Sequence, residues 1–304
     1  MKPSAGTTPA FFLLAFFVNQ TLLAQGSTFT PIDSAAFLQN PAPKSTAARL
    51  NLDKKRFYEN LYEGAKMSFH RRDLVGIAAS AFLDHQRPAQ GLELPPLEVD
   101  EEITESLARN DGKKSLGALS PVYYPGLFAT SRLAGMMLLD AVNLHDYSAA
   151  TYAKMFRFHQ ALYYTKVVTR LAKRNIQRYR PDGSDTYSFF SGHTSAAFAT
   201  STFLYLEARD FIDNLAQRRD GRLPFMSPRA WKRLSFGVLY GWAGYVGFSR
   251  IHDKKHYLSD VLAGAASGTL VSYLLYPHEP KEGKIQMGIQ PLYNGVSMAM
   301  EFRF

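Results

Sequence analysis

The sequence predicts an all-α helical bundle that ends in a short β-hairpin. Apolar residues recur at helical spacing in several long stretches between residues 52 and 275, and prolines mark the ends of two of them. Near the C-terminus, two partly alternating runs flank an Asn-Gly pair, which is a strong hairpin signal. We therefore divide the chain into a signal peptide (1–26), an extended arm (27–50), a helical domain (51–278) and a hairpin tail (279–304).

The helical stretches are separated by short breaks. Residues 52–83 are amphipathic, and residues 87–100 hold three prolines and a glycine, which predicts a loop. The longest helix should cover residues 148–179, because Pro181 cannot continue it. Further helices are predicted over 101–110, 129–144, 194–211, 229–250 and 257–275. None reaches about 18 uncharged apolar residues, so we expect a soluble core, with a membrane-embedded bundle as the alternative.

The bulk composition limits the class of protein. Of the 304 residues, 46% are hydrophobic, which is ample for a sizeable core, and 20% are charged, which resembles a soluble protein. The net charge of +9 favours anionic partners such as phosphate esters or a membrane surface. No nucleic-acid-binding motif is present, so we expect no nucleic-acid partner.

The N-terminus predicts export. Lys2 precedes an apolar run over residues 10–18, and Ala24-Gln25-Gly26 offers the small residues that a signal peptidase needs. An uncleaved anchor is the alternative, although the run is too short to span a bilayer comfortably. We expect a periplasmic or envelope-associated protein, or else an integral membrane protein. The absence of cysteine excludes disulfides, thiolate metal sites and a cysteine nucleophile.

A first candidate motif is the pair Lys173 and Arg180. If both lie on the predicted helix, their spacing of seven places them on one face, where they can neutralise a phosphoryl dianion. Arg170, Arg174 and Arg178 follow a row of four-residue spacing on another face, which we interpret as a solvated or membrane-facing stripe. Taken alone, the first pair is more typical of ordinary surface charges than of a phosphate site.

A second motif, Ser191-Gly192-His193, opens a predicted helix. Serine suits an N-cap, and glycine lets backbone N–H groups approach an anion closely. His193 beside that anion could protonate a leaving alkoxide. A plain N-cap followed by a partly exposed histidine is the alternative.

A third motif joins Arg250, His256 and Asp260. On a helix, the four-residue spacing lets the carboxylate reach the imidazole, fix its tautomer and leave the other ring nitrogen free, as a nucleophile requires. Arg250 adds a third cation. An ordinary helix-stabilising pair is the alternative.

The run His252-Asp253-x-x-His256 also resembles the His-Glu-x-x-His zinc pattern. A metal at this position leaves Lys173 and Arg180 unexplained, and cations crowding the site would weaken metal binding. We therefore expect no metal.

Together the three motifs resemble the signature of the type-2 phosphatidic acid phosphatase superfamily. That signature is Lys-x6-Arg-Pro, then Pro-Ser-Gly-His, then Ser-Arg-x5-His-x3-Asp, and the likeness covers residues 173–260. The superfamily includes bacterial acid phosphatases, lipid phosphatases and, distantly, vanadium haloperoxidases. The resemblance implies an all-α bundle of the acid phosphatase and vanadium haloperoxidase type.

The resemblance also implies roles for individual residues. His256 would be the nucleophile that forms a phosphohistidine, Asp260 would orient it, and His193 would act first as general acid and then as base. The residues that would bind the phosphate oxygens are Lys173, Arg180, Ser191, Gly192 and Arg250. No metal or cofactor is implied, and vanadate is expected to bind as a phosphate mimic.

One position departs from the signature, since Phe190 stands where the superfamily has proline. Phe190 is apolar, so we expect it to pack in the loop and not to abolish activity.

The predicted function is metal-independent hydrolysis of phosphate monoesters, lipid phosphates or diphosphates among them. The predicted partners are a phosphorylated small molecule or lipid and a membrane surface. Two alternatives stay open: a vanadate-dependent haloperoxidase on the same scaffold, and a non-catalytic envelope scaffold anchored through the hairpin.

Overall fold

The structure is a computed structural model that describes most of the predicted helical domain and the hairpin. The described residues are 54–69, 82, 91–109, 115–119, 124–142, 144–219, 221, 223–277, 286–292 and 295–301. The predicted signal peptide, the extended arm and much of the second half of the predicted helix over 52–83 lie outside them. Seven α-helices lie within the described residues, which confirms the all-α fold class.

The elements follow the predicted order. The helices are α1 (Lys54–Ser68), α2 (Glu98–Leu107), α3 (Tyr124–Ala141), α4 (Ala149–Asn175), α5 (Gly192–Arg218), α6 (Pro228–His252) and α7 (Leu258–Leu275). A 3-10 turn spans Leu116–Leu119. Strand β1 (Leu92–Glu93) pairs in parallel with β2 (Ile176–Gln177). Since β2 follows α4 directly, the helix predicted to reach residue 179 ends at Asn175 instead.

The C-terminal hairpin is present. Strand β3 (Gln286–Leu292) runs antiparallel to β4 (Gly295–Glu301), with Leu292 opposite Gly295. The predicted pairing of the two strands is therefore confirmed, while Tyr293 and Asn294 between them lie outside the described residues.

Contacts separate the chain into two compact units. The described part of the smaller unit, Ala208–Arg233, holds the end of α5, a turn and the first residues of α6. In it Trp231 Nε1 donates to the Pro224 carbonyl at 3.1 Å, and Lys232 forms an ion pair with Asp213.

The larger unit comprises the described residues of Leu52–Glu207 and Leu234–Phe304, and its aromatic core lies between α4, α5 and the end of α7. Phe158 stacks on Phe203 with ring centroids 4.8 Å apart, and Tyr276 meets Phe203 edge-on at 5.0 Å. All three side chains are buried. Such aromatic contacts fix the helices that carry the candidate site.

Two glycines allow α7 to lie directly against the beginning of α5. A Cβ atom at Gly264 would stand 2.6 Å from the Ser191 carbonyl oxygen, and one at Gly268 would stand 2.0 Å from the Ser195 carbonyl oxygen. Any side chain there would force the helices apart. This close approach brings the third predicted motif next to the second.

Among the described residues, one helix passes a length-and-composition test for a membrane span. It is α7, with a mean hydropathy of 1.3, and 28% of its length is buried.

Candidate active site

The three predicted motifs converge in the larger unit. Lys173 lies in the last turn of α4, Arg180 follows β2, and His193 lies in the first turn of α5. Arg250 lies near the end of α6, and His256 stands in the connection between α6 and α7. Burial, and after it the charges of Arg250 and Arg180, lower the pKa of His193; burial and the charges of Lys173 and Arg180 lower the pKa of His256. The cations and the imidazoles therefore share one electrostatic environment.

Arg180 reaches the site by a route that the sequence did not predict. Because α4 ends at Asn175, the prediction that Lys173 and Arg180 share a helix face is wrong. Arg180 Nε donates to Asp185 Oδ1 at 2.7 Å, and its Nη1 donates to the Lys255 carbonyl at 3.4 Å. The turn after β2 holds this guanidinium.

Lys173 is half-buried, and its Nζ donates to the Tyr187 carbonyl. Burial and the nearby charge of Arg180 lower the pKa of Lys173 to about 8. The ammonium group is therefore charged at neutral pH and is held at a fixed place.

Ser191 caps helix α5, as its position predicts. Its Oγ accepts from Thr194 Oγ1 at 2.9 Å and from Thr194 N at 3.4 Å, and its N–H donates to the Asp260 carbonyl at 3.1 Å. A Cβ atom at Gly192 would lie 3.3 Å from Thr169 Cγ2, so the absence of a side chain relieves crowding there. That Ser191 and Gly192 bind phosphate oxygens stays a prediction.

Phe190 is buried, and its ring meets that of Phe189 at 5.9 Å with an interplanar angle of 80°. The expectation that an apolar side chain packs at this position is confirmed.

His193 is contacted by the 3-10 turn, a segment that the sequence did not single out. Its Nε2 lies 3.3 Å from the Ala118 carbonyl oxygen. A Cβ atom at Gly117 would stand 2.0 Å from Ser249 Oγ, so glycine lets this turn approach the end of α6. Burial, followed by the charge of Arg250, lowers the pKa of His193 to about 3. The imidazole is therefore neutral until an anion offsets the surrounding positive charge.

Arg250 is buried and oriented from two sides. Its Nε donates to Ser249 Oγ at 3.2 Å, and its Nη2 forms an ion pair with Asp253. Asp253 Oδ1 in turn accepts from Ser115 Oγ at 2.6 Å. The guanidinium is thereby fixed before any ligand arrives.

The zinc-like run does not assemble a metal site. Asp253 is engaged by Arg250, and His252 Nδ1 lies 2.7 Å from the Leu107 carbonyl oxygen. Within the part of the chain that the structure describes, no group of three or more His, Cys, Asp or Glu side chains could hold a metal ion.

His256 is 2% exposed and stands beside Asp260. Its Nδ1 lies 3.8 Å from Asp260 Oδ2 and, among the described residues, has no hydrogen-bond partner. Burial, with the charges of Lys173 and Arg180, lowers the pKa of His256 to about 4, although Asp260 opposes the shift. The imidazole is therefore neutral near pH 7, with its Nδ1 turned toward the carboxylate.

Arg178 corrects another prediction. It was placed on a solvated or membrane-facing stripe of the helix, but it is 3% exposed and forms an isolated β-bridge with Tyr187 directly after β2. Its Nη1 donates to Asp260 Oδ1 at 2.8 Å and its Nη2 to Asp100 Oδ2 at 2.6 Å. Ser188 Oγ completes the set by donating to Asp260 Oδ2 at 2.5 Å. None of these partners has a spacing that identifies it, because the contacts join distant parts of the chain.

The arrangement is suited to phosphoryl transfer. Three cations can neutralise the oxygens of a phosphoryl group, one neutral imidazole can attack phosphorus, and a second can carry a proton. Electrostatic stabilisation of this kind supplies most of the catalysis in phosphoryl transfer.

Two known proteins with related sequences are both named as phosphatases. Lipid A 1-phosphatase of Porphyromonas gingivalis is 38% identical over 104 residues, which is 34% of this chain and 19% of that protein. Phospholipid phosphatase 2 of Mus musculus is 28% identical over 190 residues, 53% of this chain and 61% of that protein. The chain thus spans less than two thirds of the length of either relative.

A solved structure and a family profile complete the comparison. The crystal structure of a transmembrane PAP2 type phosphatidylglycerolphosphate phosphatase from Bacillus subtilis aligns with 73% of this chain and 92% of that one, at 18% identity and a TM-score of 0.35. The profile of the PAP2 superfamily matches residues 152–284, which include all three motifs. Over these residues, a little under half of its length, the chain is similar to the PAP2 superfamily.

Proposed function

We propose that this protein is a metal-independent phosphatase that removes phosphate from a lipid phosphate through a phosphohistidine intermediate. The observation that carries the proposal is the convergence of three cations on two neutral imidazoles, of which His256 is buried and His193 half-buried. The PAP2 profile match and the phosphatase relatives support it.

In the first step His256 Nε2 attacks phosphorus, since its Nδ1 is turned toward Asp260. A nitrogen–phosphorus bond forms as the bond from phosphorus to the ester oxygen breaks. His193 passes the remaining proton of the bound ester monoanion to the leaving oxygen, so the lipid departs as a neutral alcohol.

In the second step His193, now neutral, takes a proton from water, and the resulting hydroxide attacks phosphorus. The nitrogen–phosphorus bond breaks, inorganic phosphate leaves, and His256 regains its lone pair. The cations Lys173, Arg180 and Arg250 stabilise the phosphoryl oxygens in both steps.

A lipid substrate is supported by the outer faces of the helices as well as by the relatives. Large apolar side chains are exposed on α6 and α7, among them Phe236, Val238, Phe248, Leu262 and Leu270. Contiguous exposed apolar surface is typical of membrane or protein contact sites. We infer that the protein works at a membrane surface outside the cytoplasm, in keeping with the predicted signal peptide.

The substrate class can be tested with a panel of phosphate esters. Phosphatidic acid, a lipid A phosphate and a prenyl diphosphate in detergent micelles should be hydrolysed with higher kcat/KM than p-nitrophenyl phosphate. EDTA should leave the rates unchanged, and vanadate should inhibit competitively. Phosphate release that depends on an added divalent metal would overturn the mechanism. Halide oxidation with peroxide and vanadate would favour the haloperoxidase alternative, and no turnover on any ester would favour the scaffold alternative.

The pH profile of kcat/KM should be a bell with its optimum between about pH 4 and pH 6. Below it, protonation of His256, whose pKa is about 4, removes the attacking lone pair. Above about pH 6 a phosphate ester loses its second proton. His193, with a pKa of about 3, is neutral at this pH and has no extra proton to give, so no proton is available for the leaving oxygen. Lys173, with a pKa of about 8, loses its charge at higher pH. A rate that rises continuously into alkaline pH would contradict these assignments.

A further inference from the structure

Three buried, charged side chains form a row of ion pairs that ends at Asp260, beside the candidate nucleophile His256. Asp260 Oδ1 accepts from Arg178 Nη1 at 2.8 Å, and Arg178 Nη2 donates to Asp100 Oδ2 at 2.6 Å. Asp260, Arg178 and Asp100 are each at most 3% exposed. None of the three predicted motifs includes Arg178 or Asp100.

We propose that Asp100 is a positioning residue for catalysis: through Arg178 it preserves the net negative charge that Asp260 presents to His256. The inference rests on the proposed function, because it assigns His256 the role of nucleophile.

The reason lies in the sum of the charges. An ion pair of Arg178 and Asp260 alone would be neutral, and the carboxylate would then do little to stabilise an imidazole that becomes positive. Asp100 adds a second negative charge, so the triad carries a net charge of −1. A nearby negative charge favours the cationic form of an imidazole, which is the form that phosphohistidine formation creates.

Several contacts keep Asp100 at this place and ionised. Its Oδ1 accepts from Ser259 N at 2.8 Å, and its Oδ2 accepts from Ser259 Oγ at 2.7 Å and from Leu97 N at 3.3 Å. Burial alone would raise the pKa of Asp100, but the hydrogen bonds from Ser259 and Arg178 hold it below its usual range. The carboxylate therefore links the beginning of α2 to the beginning of α7, where Asp260 lies.

Arg178 is held in the same way, so its charge cannot move away. Its Nη1 also donates to Ser259 Oγ at 2.8 Å, and its guanidinium lies 4.8 Å from the centre of the Tyr257 ring. Asp260 Oδ2, the oxygen nearer to His256, accepts from Tyr257 N at 2.9 Å. The geometry that faces His256 is thus fixed by groups that do not touch a substrate.

A purely structural role for the triad makes a different prediction from an electrostatic one. If the triad only ties helices together, loss of Asp100 or of Arg178 should lower stability, with no systematic change in the titration of His256. If charge is what matters, loss of Asp100 and loss of Arg178 should shift the pKa of His256 in opposite directions.

The test compares Asp100→Asn with Arg178→Gln in the full-length protein. In Asp100→Asn the remaining pair is neutral, so the pKa of His256 should fall and kcat should drop on the order of 10- to 100-fold. In Arg178→Gln the two carboxylates stand unopposed, so the pKa of His256 should rise. The readouts are NMR titration of the histidine resonances and the acid limb of the pH–rate profile.

The affinity for vanadate distinguishes a positioning role of Asp100 from a role in binding the phosphate group. The contacts described for Asp100 are with Ser259, Leu97 and Arg178, and not with the cations proposed to bind phosphate. The vanadate Kd of Asp100→Asn should therefore stay within about threefold of the wild-type value while kcat falls. Asp182→Asn is the matched control, because it also removes one carboxylate near the site, from an ion pair with Lys255 outside the triad. It should leave the acid limb and kcat unchanged.

A failure of the positioning role can be distinguished from a failure of the proposed function. Unchanged His256 titration and kcat in a folded Asp100→Asn, or shifts of the same sign in both variants, would overturn the positioning role while leaving the phosphatase proposal intact. If Asp100→Asn does not fold, the direction of the shift in Arg178→Gln decides. If His256→Ala keeps its activity, the proposed function itself fails, whatever the triad does.

Discussion

Replacement of His256 by alanine should reduce phosphate release by about 10⁴-fold or more, because no other group can form the covalent intermediate. The structure supports so large an effect: the imidazole is 2% exposed, neutral near pH 7 and surrounded by the cations of the site. The residual rate should come from the cations alone, which still bind and polarise the ester. The measurement is kcat on phosphatidic acid and on p-nitrophenyl phosphate, with circular dichroism to show that the helices persist.

His252→Ala is the matched control for this prediction. His252 is the last residue of α6 and stands four residues before His256, but its Nδ1 contacts the Leu107 carbonyl and it is not one of the predicted site residues. Its replacement should leave kcat within about threefold. If His256→Ala retained more than a few per cent of the wild-type rate, His256 would not be the nucleophile.

His193→Ala should show an effect that depends on the leaving group. A poor leaving group such as a lipid alkoxide needs protonation as it departs, so loss of the general acid should cost about 10²–10⁴-fold. p-Nitrophenolate is stable without a proton, so the first step should slow far less on p-nitrophenyl phosphate. The second step still needs a base to activate water, so phosphohistidine should accumulate and p-nitrophenol should appear as a burst.

The readouts are kcat/KM on both esters, which reports the first step, and a stopped-flow trace of p-nitrophenol release. His159→Ala is a suitable control. This half-buried histidine lies in α4, and its Nδ1 contacts the Met155 carbonyl of the same helix. It should give no burst and no dependence on the leaving group. An equal loss of kcat/KM on both esters for His193→Ala would argue against a general-acid role.

Most helices were predictable because their apolar periodicity is local. The predictions over 194–211, 229–250 and 257–275 fall within or close to α5, α6 and α7, and the hairpin followed from one Asn-Gly pair. The end of α4 was missed because Ile176 pairs with Leu92 of β1, a partner far away in the sequence. No local signal distinguishes such a strand from a further turn of helix.

In the candidate site, too, the residues with a local sequence signal were predictable and the others were not. Its motif residues were recognisable because their spacing is fixed, and the structure brings them together. Asp100 resembles an ordinary acidic residue in the first turn of a helix, and Arg178 resembles one member of a basic stripe. Their roles come from contacts between distant segments, and the same is true of the Ala118 carbonyl beside His193.

Trapping the intermediate tests the proposed mechanism most directly. Wild-type protein is mixed with ³²P-labelled phosphatidic acid, quenched in alkali within the first turnovers and analysed by peptide mapping. A phosphohistidine mechanism predicts an alkali-stable, acid-labile label on the peptide that contains His256, more of it in His193→Ala and none in His256→Ala. A label on another residue, or turnover in which no labelled protein forms in either the wild type or His193→Ala, would contradict it.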